Sequence, residues 1–525
     1  MSPHKPGNAE VPLGPLRTSH RSKAVPALSL PPPPRARPTM PAPQNHNPPA
    51  ARSHPLTFTV DSVRFHHAWI RTRFPFRYGI ASMTQAPHVL AEVSVTCANH
   101  SWTGLSAETW VPKWFSKRPD TSYDEDLPDL CRAVSSAASA ALQPHRSFAA
   151  WWQHLYAAQS DLISPPAMPA LLAQMGTAML ERAVLHALTQ ASNSTFSSFF
   201  SSGLSALSPA SLRPDLGSSS WDHWLPAQPR NSLTVRHTVG LSDPLDASDA
   251  TSPPDDDLPH SLADNIRAFD LTHFKIKLSG QLETDTHRLL RLAALLPPHA
   301  RFTLDANENF PDIRVFHDHW NHWNSQPTLA RWLDQGLLFI EQPLHRDHSL
   351  TDATGQGLAA WNHHPPVIID EADASLDSLP RALALGYSGT SHKNCKGLVK
   401  GLANLASTSA AGAILSGEDL SNIGPVALLQ DLAVMNALGI PHVERNGHHY
   451  FHGTSMFPPT TGQHLISTLP DLYSASGDSG AVLRIHHGAL NTAALNLLPL
   501  GIPNPTIPAG FSPGLPTPAP QPPLI

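Results

Sequence analysis

Phe274-Lys-Ile-Lys-Leu278 is a short apolar strand with a lysine at every second position. A helical pattern over Asp285–Leu296 follows, and then a second short strand, Phe302-Thr-Leu-Asp305. Successive strand side chains point to opposite faces, so Lys275 and Lys277 share a face. Strand, helix, strand within about 30 residues is the signature of a parallel pairing with a crossover. The pattern recurs outward in both directions. The candidate strands are Leu233–Gly240, Phe274–Leu278, Phe302–Asp305, Leu338–Glu341, Val367–Asp370, Gly389–Lys393, Ala413–Gly417 and His442–Arg445, with helical stretches such as Pro425–Leu438 between most pairs. Eight repeats over about 240 residues predict an α/β domain closed as a TIM-type (β/α)8 barrel, whose usual size is about 250 residues. A doubly wound open sheet is the alternative. It lacks support, because no glycine-rich nucleotide fingerprint follows any strand.

A barrel carries its chemistry at the C-terminal ends of its strands. Here those ends read Lys275-Ile-Lys277, Asp305-Ala-Asn-Glu308, Glu341-Gln-Pro343, Asp370-Glu-Ala-Asp373, Lys393-Asn-Cys-Lys396 and Gly417-Glu-Asp419. Taken singly, a strand-end Asp is an ordinary helix cap and a Lys-x-Lys pair an ordinary solvated face. The order is what matters: base, three carboxylates in succession, then base again. Hard oxygen ligands from three strands suit one Mg²⁺. Lysines beside a cation and beside each other are expected to have depressed pKa values, as a neutral amine base requires. Together the groups suit removal of a proton α to a carboxylate, where a metal stabilises the enediolate charge.

The series Lys-x-Lys, Asp-x-Asn, Glu-Gln-Pro, Asp-Glu-Ala, Lys-x-x-Lys-Gly resembles the mandelate racemase / muconate lactonizing enzyme branch of the enolase superfamily. The spacings are also similar: 28 residues from Lys277 to Asp305, 36 to Glu341, 29 to Asp370 and 23 to Lys393. The resemblance implies a modified barrel closed by an N-terminal α+β capping domain, and a C-terminal stretch that returns to the cap. It implies that Asp305, Glu341 and Asp370 are the metal ligands and that Lys277 is one acid/base, with Lys275 its electrostatic neighbour. Lys393 is the other acid/base, with Lys396 the alternative. Supporting roles fall to Asn307, Glu371, Glu418 and Arg445, the last (or His448) toward a distal anionic group of the substrate. Phe74–Thr84 takes the place of the cap loop that closes on substrate, which makes Arg77 and Tyr78 candidates for substrate contact. The chain departs from known subfamilies. His442-Val-Glu-Arg-Asn-Gly-His-His-Tyr450 lacks the Asp-x-Asp of dipeptide epimerases, a Lys replaces the sixth-strand His, and Gly397-Leu stands where paired glycines are usual.

The implied activity is racemisation or epimerisation, or β-elimination in the manner of o-succinylbenzoate synthase relatives. Alternatives are a hydrolase barrel, which lacks the strand-end histidines of a metal pair, and a barrel kept only as a binding module. A second, zinc-type site at His448, His449 and His452 is disfavoured, because adjacent strand residues point apart.

The rest of the chain divides as follows. Residues 1–55 form a Pro-rich, core-poor tail expected to be disordered, with no apolar core for a signal peptide. The cap is assigned to 56–229, with strands at Phe58–Phe65, Val89–Thr96 and Trp102–Glu108, helices at Leu127–Leu142 and Ala167–Gln190, and a Ser/Pro-rich loop from Ser194. The barrel takes 230–477, the return to the cap 478–502, and a second disordered tail 503–525. With 35 Lys and Arg against 41 Asp and Glu, no polyanion partner is implied. No apolar run reaches the roughly 20 residues of a membrane helix. Three cysteines give no disulfide framework and point to the cytoplasm. The expected partner is a small-molecule carboxylate, with neither nucleic acid nor membrane, and a homo-oligomer is left open.

Overall fold

The computed structural model describes residues 54–163, 168–250, 254–477 and 480–517. The expected tail over residues 1–55 falls almost wholly outside them. An antiparallel sheet opens the fold: β1 (Phe58–Tyr78), β2 (Ala81–Cys97) and β3 (His100–Thr109). β1 and β2 are much longer than the sequence suggested. They absorb Phe74–Thr84 and turn at Gly79, whose φ of +47° suits glycine. The supposed loop is therefore the tip of a hairpin, and its residues alternate between faces.

Helix Tyr123–Ala141 packs on helix Ala170–Ala191, which in turn covers this sheet. The first starts at a capping box between Ser122 and Glu125, which satisfies two backbone donors at the helix end. The second lies so close to β3 that a Cβ added at Gly104 would stand 1.9 Å from the Ala183 carbonyl oxygen. Gly104→Ala should therefore destabilise the protein by at least about 1–3 kcal/mol, the usual cost of overpacking. Urea denaturation reads this directly, and an unchanged midpoint would mean the helix sits farther from the sheet. The Ser/Pro-rich stretch from Ser194 holds short helices between its turns. Phe196, Phe199 and Phe200 fall at helical spacing and are buried in helix Phe196–Ser201, with Thr195 and Ser198 forming its capping box. The Ser content that read as loop is helix-capping chemistry.

The barrel strands are β4 (Ser232–Val239), β5 (His273–Lys277), β6 (Arg301–Asp305), β7 (Leu337–Glu341), β8 (Val367–Ile369), β9 (Gly389–His392), β10 (Ile414–Gly417) and β11 (His442–Arg445). They pair in parallel in chain order, and β11 closes on β4 through His442↔Thr234 to Arg445↔His237. The fold is thus an eight-stranded (β/α) barrel with a separate N-terminal antiparallel sheet domain. The barrel is modified at its end. After β11 come the short helix Gly447–Tyr450, helix Pro459–Thr468 and a hairpin of β12 (Tyr473–Ser476) and β13 (Gly480–Leu483). β14 (Ala489–Asn491) then runs antiparallel to β4.

Two boundaries shift. Residues 480–491 pack on the barrel rather than on the cap; the return reaches the cap helix Ala170–Ala191 at Pro499–Gly501. Of the second expected tail, residues 503–517 are described. Within them β15 (Ser512–Pro513) pairs with β1 at His67 and His66, and the Gly514 amide donates to the Phe65 carbonyl. Proline content alone misled here: an edge position tolerates Pro, which lacks only a donor.

Candidate active site

Strands β4 to β11 bring a buried cluster of charge to one end of the barrel. Six carboxylates (Asp305, Glu341, Asp370, Glu371, Glu418, Glu444) meet five cations (Lys275, Lys277, Lys393, Lys396, Arg236), all buried. Lys275 is the hub. Its ammonium donates to Glu418 Oε2 at 2.6 Å, Glu341 Oε1 at 2.8 Å and Glu444 Oε2 at 3.0 Å, and lies 3.1 Å from Asp305 Oδ2. Lys277 donates to Asp305 Oδ2 at 2.5 Å. Lys393 donates to Glu418 Oε2 at 2.5 Å and Asp370 Oδ1 at 2.9 Å. A chain of charge contacts thus runs from Lys277 to Lys393. Their strands, β5 and β9, are four places apart in the eight-stranded order, which puts them on opposite sides of the barrel.

Between them is a small cavity of about 30 Å³. Lys275, Lys277, Lys393, Asp370 and Glu444 line it from the barrel side, while Phe76, Tyr78, Val111 and Trp114 come from the cap. The Lys393 ammonium stands 5.4 Å from the centre of the Trp114 ring, a cation–π distance. Burial pushes the Tyr78 phenol up, so it stays a neutral donor.

The lysine pKa values run opposite to the sequence expectation. Burial lowers each of them, but the facing carboxylates outweigh it. Lys275 and Lys393 lie well above the ordinary value and Lys277 above it. The expectation counted lysine–lysine and lysine–metal repulsion and left out the density of carboxylates. Burial, reinforced by Asp305 and Glu418, pushes Glu341 well up, and burial beside Asp370 and Glu308 takes Glu371 up to about 8. Burial would raise Asp370 too, but Lys393 and Lys396 hold it far below the usual range.

Not every expected residue faces this cavity. Asn307 lines it and donates to Glu371 Oε1 at 3.2 Å. Glu371 itself turns toward Lys117 and Glu308, outside the lining. Lys396 is not among the lining residues. Its ammonium is held by the carbonyls of Asp370 (2.7 Å) and Ser391 (3.0 Å), by Ser391 Oγ and by Asp370 Oδ1. Arg77 is exposed and donates to Ser242 Oγ at 3.3 Å, because strand alternation points Phe76 and Tyr78 inward and Arg77 outward. Arg445 also points away, as does its register partner His237; it pairs with Asp419 and donates to the Asn422 carbonyl at 2.7 Å. His448 meets His237 at 2.9 Å outside the barrel. The carboxylates gathered within 4.8 Å of one another, and so able to share a metal, are Glu341, Asp370 and Glu418. Asp305 is not in that group: its Oδ2 serves the two lysines and its Oδ1 the Asn307 amide at 2.9 Å.

Sequence reasoning missed Glu444, Arg236 and Thr238. Glu444 accepts from Thr238 Oγ1 at 2.8 Å, and Arg236 donates to Glu418 Oε1 at 2.8 Å. Strand alternation in His442-Val-Glu-Arg445 was the available signal, since Glu444 and Arg236 pair in register and face inward together.

The cap positions the β9 loop. Glu181, on helix Ala170–Ala191, accepts the backbone N–H of Leu398, the first residue of the helix that follows Lys393 and Lys396. It also accepts from Trp152 Nε1 at 2.5 Å. A second bolt joins Arg182, Glu108 of β3 and Asn422 after β10, at 2.7 Å for each contact.

Solved structures share this architecture. A mandelate racemase/muconate lactonizing protein from Herpetosiphon aurantiacus is 18% identical, covering 82% of this chain and 98% of that one, with a TM-score of 0.52. This is the mandelate racemase/muconate lactonizing fold. An N-succinyl Arg/Lys racemase from Bacillus cereus shares it at 14% identity, covering 84% and 98% of the two chains (TM-score 0.53). So does an enolase from Bradyrhizobium complexed with magnesium and mandelic acid, at 16% identity over 83% and 93% (TM-score 0.51). No protein-family model and no curated protein sequence matches the chain. Among the described residues no helix is long and apolar enough to cross a membrane.

Proposed function

We propose that this chain is an enolase-superfamily enzyme that removes the proton α to the carboxylate of a small-molecule substrate. The outcome is racemisation or epimerisation, or β-elimination by syn-dehydration. The observation that carries the reading is the pairing of Lys277 and Lys393 across one cavity, above a floor of carboxylates. The fold it shares with racemases supports the same reading.

The residues present fit a divalent cation. Glu341 Oε2 is buried with no hydrogen-bond partner among the described residues. All the donors are hard oxygens, the set that Mg²⁺ prefers. When bound, the cation supplies charge neutralisation for the carboxylates and for negative charge developing on the substrate. Glu341 and Asp370 belong both to the strand-end series and to the gathered group, and we assign them to it. Asp305 and Glu418 compete for the third place. Mg²⁺ titration by calorimetry separates them. Glu341→Gln and Asp370→Asn should each weaken binding by at least about 100-fold, beyond what outer-shell changes usually cost. Of Asp305→Asn and Glu418→Gln, the true ligand's variant should match that loss. Undiminished affinity in all four variants would remove the metal assignment.

The lysines do the proton work, which needs one of them neutral; the carboxylates that hold them charged include Glu341 and Asp370, the groups assigned to the cation. Lys277 reaches the cavity from β5 and Lys393 from β9, so each addresses one face of a planar enediolate. Lys275 contributes fixed charge, since its ammonium is engaged on four sides. The cap excludes water through Phe76, Tyr78, Val111 and Trp114. A cavity of about 30 Å³ is far smaller than the roughly 300 Å³ of a small-molecule site, so substrate entry requires the β1–β2 hairpin tip to lift, a lid motion of the usual kind.

A further inference from the structure

Glu308 ends the turn Asp305-Ala-Asn-Glu308 after β6, and Arg346 opens the short helix Arg346–Ser349 after β7. The Glu308 carboxylate is buried and grips the Arg346 guanidinium with both oxygens: Nε donates to Oε1 at 2.9 Å and Nη2 to Oε2 at 2.8 Å. The Arg346 backbone N–H adds a third bond, to Oε1 at 2.7 Å. Two-point pairing of this kind fixes the plane of the guanidinium. Its outer edge then faces the cap. Nη1 donates to the Phe115 carbonyl at 2.7 Å and Nη2 to the Trp114 carbonyl at 2.8 Å. Both carbonyls belong to helix Pro112–Ser116, and carbonyls in the last turn of a helix have no partner within it. Lys117 extends the same anchor. Its ammonium donates to the Asn307 carbonyl at 2.6 Å and stands 3.3 Å from Glu308 Oε2.

What this clamp holds is one wall of the catalytic cavity. Trp114 lines that cavity with its ring beside the Lys393 ammonium. A helix of a single turn is not stable by itself, so contacts from outside decide where Trp114 sits. The β1–β2 hairpin is held differently. Its base is bolted to the barrel: Arg73 donates to Asp256 at 2.7 and 2.6 Å and to the His449 carbonyl at 2.6 Å. Beyond that bolt the tip, residues 76–83, makes one side-chain hydrogen bond to the barrel among the described residues, Arg77 to Ser242 at 3.3 Å. The wall is tied down where the tip is not.

We propose that Glu308 and Arg346 are positioning residues: they hold Trp114 beside Lys393 as a fixed wall while the hairpin tip opens for substrate. Their effect on the chemistry rests on the proposed reaction; the clamp itself does not. Hydrogen–deuterium exchange of the full chain, read by mass spectrometry, tests the clamp without a substrate. Arg346→Lys keeps the charge beside Glu308 but loses the fork that spans the two carbonyls. Exchange over residues 110–118 should rise at least about tenfold, as expected for losing two hydrogen bonds from a charged group, with the tip over 76–83 unchanged. Glu308→Gln keeps the side chain's shape and should raise exchange in the same segment, so the test stands even if the lysine variant misfolds. Exchange of the substrate α-proton in D₂O, with Mg²⁺ and with N-acyl amino acids and 2-hydroxy acids as probes, tests the positioning. In Arg346→Lys, exchange through Lys393 should fall about ten- to a hundredfold, the scale of a small misplacement, and that through Lys277 by less than about threefold. A purely structural loss would lower both alike. Unchanged deuterium uptake over 110–118 in both variants would overturn the clamp, and an equal rise at the tip would overturn the division between wall and lid. Equal losses through both lysines would overturn the positioning role. If no probe exchanges in the wild type, the proposed reaction fails for these acids, and the deuterium pattern alone upholds or overturns the clamp.

Discussion

Lys277→Ala is expected to abolish exchange of one enantiomer's α-proton with D₂O, and Lys393→Ala that of the other, with turnover falling by about 10²–10⁴-fold in each, as for loss of a general base. The expectation follows from placement. β5 and β9 face each other across the barrel, and both ammonium groups border the same cavity. Each lysine leaves behind a carboxylate that still has a partner: Asp305 keeps Lys275, and Asp370 keeps Lys396. The variants should therefore fold, and the loss should be chemical. If the reaction is elimination, one substitution abolishes exchange and the other only slows it, because a cation rather than a proton carrier is removed. Proton exchange followed by NMR for each enantiomer and each variant distinguishes the cases. Full exchange in both variants would overturn the pairing and turn attention to Lys396, whose ammonium is otherwise saturated by Asp370 and Ser391.

Glu181→Gln should change how stability responds to pH. Burial raises the Glu181 carboxyl from 4.5 to about 7, against the opposing pull of Trp152 and the Leu398 amide. A carboxyl raised on folding favours the fold fully below its unfolded pKa of 4.5, and that contribution is lost as pH rises through about 7. Between pH 5.5 and 7.5 the wild type should lose about 2 kcal/mol relative to the Gln variant, whatever constant offset the substitution itself brings. Urea denaturation of both proteins at the two pH values gives this double difference. Parallel pH curves would show that Glu181 does not take up a proton on folding.

The barrel was legible because its strands are short apolar runs whose ends carry unusual charge; the eight ranges read from sequence match the eight observed within a residue or two. Elsewhere pattern and composition pulled apart. Serine before Phe196 and after it reads as loop until Thr195 and Ser198 are seen capping a helix whose phenylalanines are core. The lysines and carboxylates were identifiable from their order, yet their partners were not, since Glu418 and Glu444 reach Lys275 from strands more than 140 residues away in the chain. Arg77 and Arg445 were placed by analogy of position. Alternation along a strand decides which side of the wall each serves, and for both it chose the outside.

The two-residue strand Ser512–Pro513 sits on the open flank of β1, beside His66 and His67. A long, free flank of this kind is a template for recruiting other chains. Proline at that position accepts the docking yet offers no amide to pass it on. The stretch that covers this part of the edge is thus expected to limit edge-to-edge association. Shortening the chain to end at Ile502 should increase its self-association, read by light scattering, before it lowers the melting temperature.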